Sequence, residues 1–135
     1  MAETDLLKIY QVVIRPVLEY ATPTFHPMLT KEMTKNIECI QKRVSKIIFG
    51  WDSSYTELLS EEKLQLLEER RHRLTDNFAK KVLASEKGPE WFPLRPNTGH
   101  DTRNNGNYLE QYAKTERLRK SPLYHMRRRL NDLNM

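Results

Sequence analysis

Apolar residues recur at helical spacing in four stretches of this chain, and no alternating pattern of a half-buried strand competes with them. The first stretch begins at Thr4 or Asp5 and carries Leu6, Ile9, Tyr10, Val13, Val17, Tyr20 and Ala21 on one face. Asp5 suits a first helical turn, where exposed amides favour negative charge. Pro16 lies inside the pattern. It lacks a backbone donor and its ring crowds the preceding turn, so a kink or break is expected there. Pro23 and Pro27 then predict an extended connector from Ala21 to Leu29.

The second helix is predicted over Lys31 to Phe49, with Thr30 as its cap and Gly50 as its stop. Met33, Ile37, Ile40, Val44, Ile47 and Ile48 form one stripe, expected to face inward. Lys35, Lys42, Arg43 and Lys46 lie largely off it. Glu38 and Lys42 stand four apart in the favourable order, worth ~0.3–0.5 kcal/mol. Ser53 or Ser54 can cap a short helix through Tyr55, Leu58 and Leu59. A third long helix is predicted from about Leu64 to Ala84, with Leu64, Leu67, Leu74, Phe78 and Val82 on its face. Arg71 shares that face, as a snorkelling side chain or a buried ion-pair partner. Beyond Lys87-Gly88-Pro89 the pattern fails. Trp91 and Phe92 are the large apolar anchors of a stretch rich in Pro, Gly and Asn, including Asn104-Asn105-Gly106-Asn107. Periodicity returns at Ser121-Pro122, a cap and a first-turn proline, followed by Leu123, Met126, Leu130 and Leu133.

The predicted fold class is therefore all-α: a small bundle of three to four helices with a basic, partly disordered tail. The expected organisation is a helical domain over 4–85, a loop-rich or disordered linker over 86–120, and a short basic helix over 121–133. Composition supports the split. Of the 32 Leu, Ile, Val and Phe in 135 residues, 25 precede residue 86. Charge is divided too: the net +5 comprises +1 over residues 1–85 and +4 over the rest. A basic tail on a near-neutral body points to an anionic partner, nucleic acid first. One cysteine, Cys39, excludes an intramolecular disulfide framework. No apolar run approaches the roughly 18 residues of a membrane span, and the first residues do not form a secretory signal. An intracellular setting, cytoplasmic or nuclear, is expected.

Catalytic signals are sparse. His26, His72, His100 and His125 are far apart in sequence, and Cys39 stands alone, so neither a metal site nor a cofactor is expected. Glu61-Glu62 and Glu68-Glu69 are sequence neighbours, which diverge around a helix. The positive signal is basic. Lys35, Lys42, Arg43 and Lys46 can contact successive phosphates, and Arg70-Arg71-His72-Arg73 forms a second cluster. Arg117, Arg119, Lys120 and Arg127 to Arg129 form a third, interleaved with Tyr108, Tyr112 and Tyr124, which can stack on bases. An ordinary solvated helix surface explains the same charges, and tail packing explains the tyrosines.

The series Ile14-Arg15-Pro16-Val17-Leu18-Glu19-Tyr20-Ala21, Pro23 and His26-Pro27 resembles the segment following the palm in non-LTR retrotransposon reverse transcriptases of the jockey-like kind. The resemblance continues through Ile37-Glu38, Ile40-Gln41-Lys42-Arg43, Ile47-Ile48, Gly50, Tyr55, Leu58, Leu67-Glu68-Glu69-Arg70-Arg71 and Leu74. Thr115-Glu116-Arg117, Arg119, Ser121 and Leu130-Asn131 resemble the C-terminal stretch of the same reading frames. It covers residues 6–85 well and 112–131 loosely; Phe25 departs from the Trp common in the family. The resemblance implies a thumb and post-thumb region that grips an RNA–DNA or DNA duplex and packs on a polymerase palm. No Tyr or Phe followed two residues later by Asp-Asp occurs, so a non-catalytic fragment is expected, a truncated relic or a separately encoded piece. The thumb reading gives Pro16 the role of fixing a bend, with the isoleucine stripe inward and the lysines outward. The rival expectation is a helical protein-interaction module that binds no nucleic acid. A bared palm-facing surface would also favour self-association.

Overall fold

The computed structural model describes residues 2–97, 99 and 106–134. The Asn104-Asn105 turn signal and His100 lie outside the described residues. The fold is all-α, and among the described residues no strand forms. The chain divides into two compact units, Met1–Thr22 with Leu29–His72, and Pro23–Met28 with Arg73–Met135. The expected 4–85 domain thus spans the first unit and part of the second.

The first unit opens with α1 (Glu3–Ile9), a π-helical turn (Tyr10–Ile14) and α2 (Arg15–Glu19). The expected break at Pro16 takes the form of this wider turn. The Arg15 N–H reaches back five residues to the Tyr10 carbonyl. One residue more than an α-turn needs is accommodated just where the proline ring would crowd the carbonyl of Val12. Pro16 then starts α2, where a missing donor costs little. The wider turn also shifts the helix phase. Only Tyr10 of the predicted face is buried, with Leu6, Leu7 and Ile14 packed beside it, while Ile9, Val13, Val17 and Tyr20 are exposed. The inward face expected from periodicity is corrected accordingly.

The connector from Ala21 to Leu29 is not extended. It forms α3 (Thr22–Phe25) and a 3-10 turn (His26–Met28). Pro23 falls in the first turn of α3, where no donor is needed. Ala21 takes a positive φ of 53° and so ends α2.

Helix α4 (Lys31–Phe49) matches the predicted boundaries. The Met33 N–H donates to Thr30 Oγ1 at 3.2 Å, the expected cap. Gly50 follows with φ 96° and ψ 159°, a region outside the left-handed helical well that is essentially closed to other residues. The orientation of α4 is the main departure. Gln41, Ser45 and Ile48 face inward, and Met33, Ile40 and Ile47 face solvent. The stripe expected to be core is largely exposed.

A polar network explains this rotation. The Tyr10 hydroxyl donates to Gln41 Oε1. Gln41 Nε2 donates to Tyr55 Oη and to the Gln65 carbonyl, each at 2.8 Å. The Tyr55 hydroxyl donates to Glu38 Oε1, and Glu38 Oε2 accepts the Leu67 N–H at 3.2 Å. Glu38 thus turns inward, away from the surface pairing with Lys42 that its spacing suggests. α5 (Tyr55–Ser60) supplies Tyr55 and buries Leu58. Tyr10, Ile48, Leu58 and Leu64 form the apolar core around the network.

Helix α6 (Leu67–Leu83) starts three residues later than predicted. Its buried positions are Leu67, Arg71, Thr75 and Ala79, spaced four apart, whereas Phe78 is partly exposed. Arg71 is fully buried, which rules out snorkelling. Burial lowers its pKa against the opposing pull of Glu38, Glu68 and Glu19.

The second unit contains α7 (Gly88–Trp91), α8 (Glu116–Arg119) and α9 (Pro122–Leu133). Its core is Ala79, Phe92, Met126 and Leu130, with Val82, Leu83, Tyr108 and Leu123 against it. Phe92 is the anchor that sequence suggested. At Gly88 a Cβ would lie 2.3 Å from the Leu83 carbonyl oxygen, so the chain needs glycine to turn there. Asn131 pins the irregular segment: it accepts the Tyr108 N–H at 2.8 Å and donates to Glu110 Oε1 at 2.7 Å. Leu94 and Tyr108 form an isolated antiparallel bridge.

Replacing Gln41 with Ala strips the Tyr10 hydroxyl and the Gln65 carbonyl of their partner and is expected to cost about 3 kcal/mol or more in urea unfolding. Burial pushes the Tyr10 hydroxyl up to about 12 from 10.0. A folded-state pKa above the unfolded value contributes stability below the unfolded pKa and loses it as pH rises through the folded one. Stability is therefore expected to fall between pH 10 and 12, and to fall less in Tyr10→Phe than in the parent chain. Equal losses would assign the fall to other groups.

Candidate nucleic-acid interface

Helix α4 presents three faces. At about 100° per residue, Lys35, Lys42 and Lys46 share a sector roughly 40° wide, well apart from the Met33–Ile40–Ile47 stripe. The buried Gln41 and Ser45 lie between these sectors on one side, and Arg43 lies between them on the other. Lys35, Lys42, Arg43 and Lys46 are all exposed, as expected. Lys42 Nζ sits 5.3 Å from the centre of the Tyr55 ring, and Lys46 Nζ 5.6 Å from that of Trp51. Both aromatic faces hold an ammonium without neutralising it. From Lys35 to Lys46 the helix rises ~16 Å, a length over which a DNA duplex presents on the order of ten phosphates. A groove of about 310 Å³ lies beside Lys35 and Lys42, lined also by Cys39, Leu66, Glu38 and Glu68. The carboxylates make its floor mixed in charge. The cationic surface is therefore the ridge of lysines, not the groove.

The second predicted cluster is largely consumed by structure. Arg70 pairs with Glu19, with a further bond from Arg70 Nη2 to Glu19 Oε2 at 3.0 Å, and this contact holds the guanidinium pKa above its usual value. Arg71 is buried.

The third cluster divides. Arg128 and Arg117 are exposed. Arg119 is exposed and pairs with Glu116 at 3.2 Å, a surface contact that competes weakly with a phosphate. Arg127 is not a surface cation. Its side chain is buried and its Nε–H donates to the Trp91 carbonyl at 2.8 Å, so its assignment to the interface is corrected. Helical phase explains this: Arg127 falls beside Met126 and Leu130 on the buried side of α9. Arg129 is bonded to Asp76 at 2.7 Å and 3.1 Å, which raises its pKa. Of the interleaved tyrosines, Tyr112 is exposed, while Tyr108 packs edge-on to Phe92. Pro16 and Gly50 take structural positions, as described above.

Sequence separation misled at the histidines. Within the second unit the His26 and His125 rings meet edge to face, with centroids 5.9 Å apart. The expectation that none finds a histidine neighbour is corrected by this pair. Only the fold brings residues 99 positions apart together, so no spacing rule could signal it. An apolar groove of about 340 Å³ in the same unit is lined by Phe78, Trp91, Pro122, Leu123 and Met126. Among the described residues, no helix is long and apolar enough to cross a membrane. Comparison of the chain with protein-family models, curated proteins and solved structures finds no match.

Replacing Arg127 with Ala should lower unfolding stability by about 2 kcal/mol, through the orphaned Trp91 carbonyl and lost packing. Arg128→Ala should leave stability unchanged in the same denaturant titration.

Proposed function

We propose that this chain is a thumb-like nucleic-acid-gripping element, a non-catalytic fragment of a retrotransposon-type RNA-directed DNA polymerase. The observation that carries the reading is the ridge of Lys35, Lys42 and Lys46 on α4, flanked by Arg43 and turned wholly to solvent. Such a ridge binds a template–primer duplex through phosphates alone, without reading bases. Arg117, Arg119 and Arg128 add cations from the second unit. Polymerisation itself belongs to a palm, which the resemblance places in the parent protein.

A second reading is favoured by a specific observation. The exposed apolar positions of α1, α2 and α4 suit a helical protein-interaction module that binds no nucleic acid. The two readings part on one experiment, binding of the chain to a labelled RNA–DNA duplex over a salt series. The thumb reading expects micromolar binding that weakens steeply with salt. Changing Lys35, Lys42 and Lys46 to Glu should then abolish it, and single changes should each lower the log–log salt slope by about 0.9. No binding at low salt by a folded chain would reject the grip and favour the interaction module.

A further inference from the structure

The outward apolar stripe of α4 has a regular register. Met33, Ile37, Ile40, Val44, Ile47 and Trp51 are separated by four, three, four, three and four residues. This is the alternation of a coiled-coil seam, sustained along the whole helix. Met33, Ile40, Ile47 and Trp51 are exposed, Ile47 to 63% and Trp51 to 73%, and Ile37 and Val44 are half-buried. The seam is not the residue of a poorly packed core. The inward side of α4 is occupied by the Gln41 network and Ile48, so both faces are committed. A narrow seam of this period fits another helix of the same period.

We propose that α4 pairs through this seam with α4 of a second copy of the chain, in antiparallel orientation. Charge decides the orientation. The solvent-side flank of the seam reads Glu32, Asn36, Arg43 and Lys46, acidic at its start and basic at its end. A parallel pair sets Arg43 against Arg43 and Lys46 near Lys46. An antiparallel pair centred between Ile37 and Ile40 sets Glu32 toward Lys46 and Asn36 opposite Arg43. The same alignment places Ile37 against Ile40 and Met33 against Val44, so apolar and charged registers agree. The small area of one helix face places the dimer at the weak end of specific association. The inference is independent of the nucleic-acid reading, because no nucleic acid enters its test.

The test is sedimentation velocity on the full chain across a concentration series up to several hundred micromolar. A monomer–dimer equilibrium in the micromolar range is expected. Ile40→Glu should abolish it while circular dichroism stays helical; Met33→Glu, at a more exposed position, serves if Ile40→Glu unfolds. Asn36→Glu places an acid opposite Arg43 and should tighten the dimer several-fold, and Asn36→Lys should loosen it. A monomer at every concentration would reject the second copy as the occupant and leave the seam to a different protein. A dimer indifferent to Ile40→Glu and Met33→Glu would reject the seam, and loosening by Asn36→Glu would reject the antiparallel pairing.

Discussion

The first unit is organised around one amide. Gln41 receives a proton from one tyrosine and gives its own to a second and to a backbone carbonyl, so three chain segments converge on one side chain. Buried polar groups are costly unless every bond is made, and here the bonds are made. Once Gln41 must point inward, the rotation of α4 about its axis is fixed. Its lysines then face one way and its isoleucines another. The cationic ridge and the apolar seam are both consequences of that single constraint.

The existence of the helices is legible in the sequence, and so are several of their ends. Thr30 caps α4 and Gly50 stops it because local chemistry decides such positions. Facing is less legible. Apolar periodicity assumes that the apolar side is the inner side, and α4 reverses this. The reversal rests on Tyr10, Tyr55 and the Gln65 carbonyl, partners 31, 14 and 24 residues from Gln41. No local pattern announces them.

The candidate interface shows the same division. Lys35, Lys42 and Lys46 are recognisable because exposed charge on a regular helix follows from spacing. Arg127 is not, because the tail helix buries a guanidinium to satisfy the Trp91 carbonyl. A run of three arginines in sequence becomes three different environments: one buried, one solvated and one paired with Asp76. Basic composition measures the charge a chain carries, and packing decides how much of it reaches the surface.

The widened turn at Tyr10–Ile14 sets a rule for how this segment can change over generations. Removing one residue there would restore regular α geometry and rotate everything downstream by about 100°. Glu19 would then swing away from Arg70, and Pro16 would press on a carbonyl it now avoids. Side-chain substitutions along the outer face leave that geometry intact. Within this stretch the number of residues is therefore held more tightly than their identity, and descendants should differ in letters far more readily than in length.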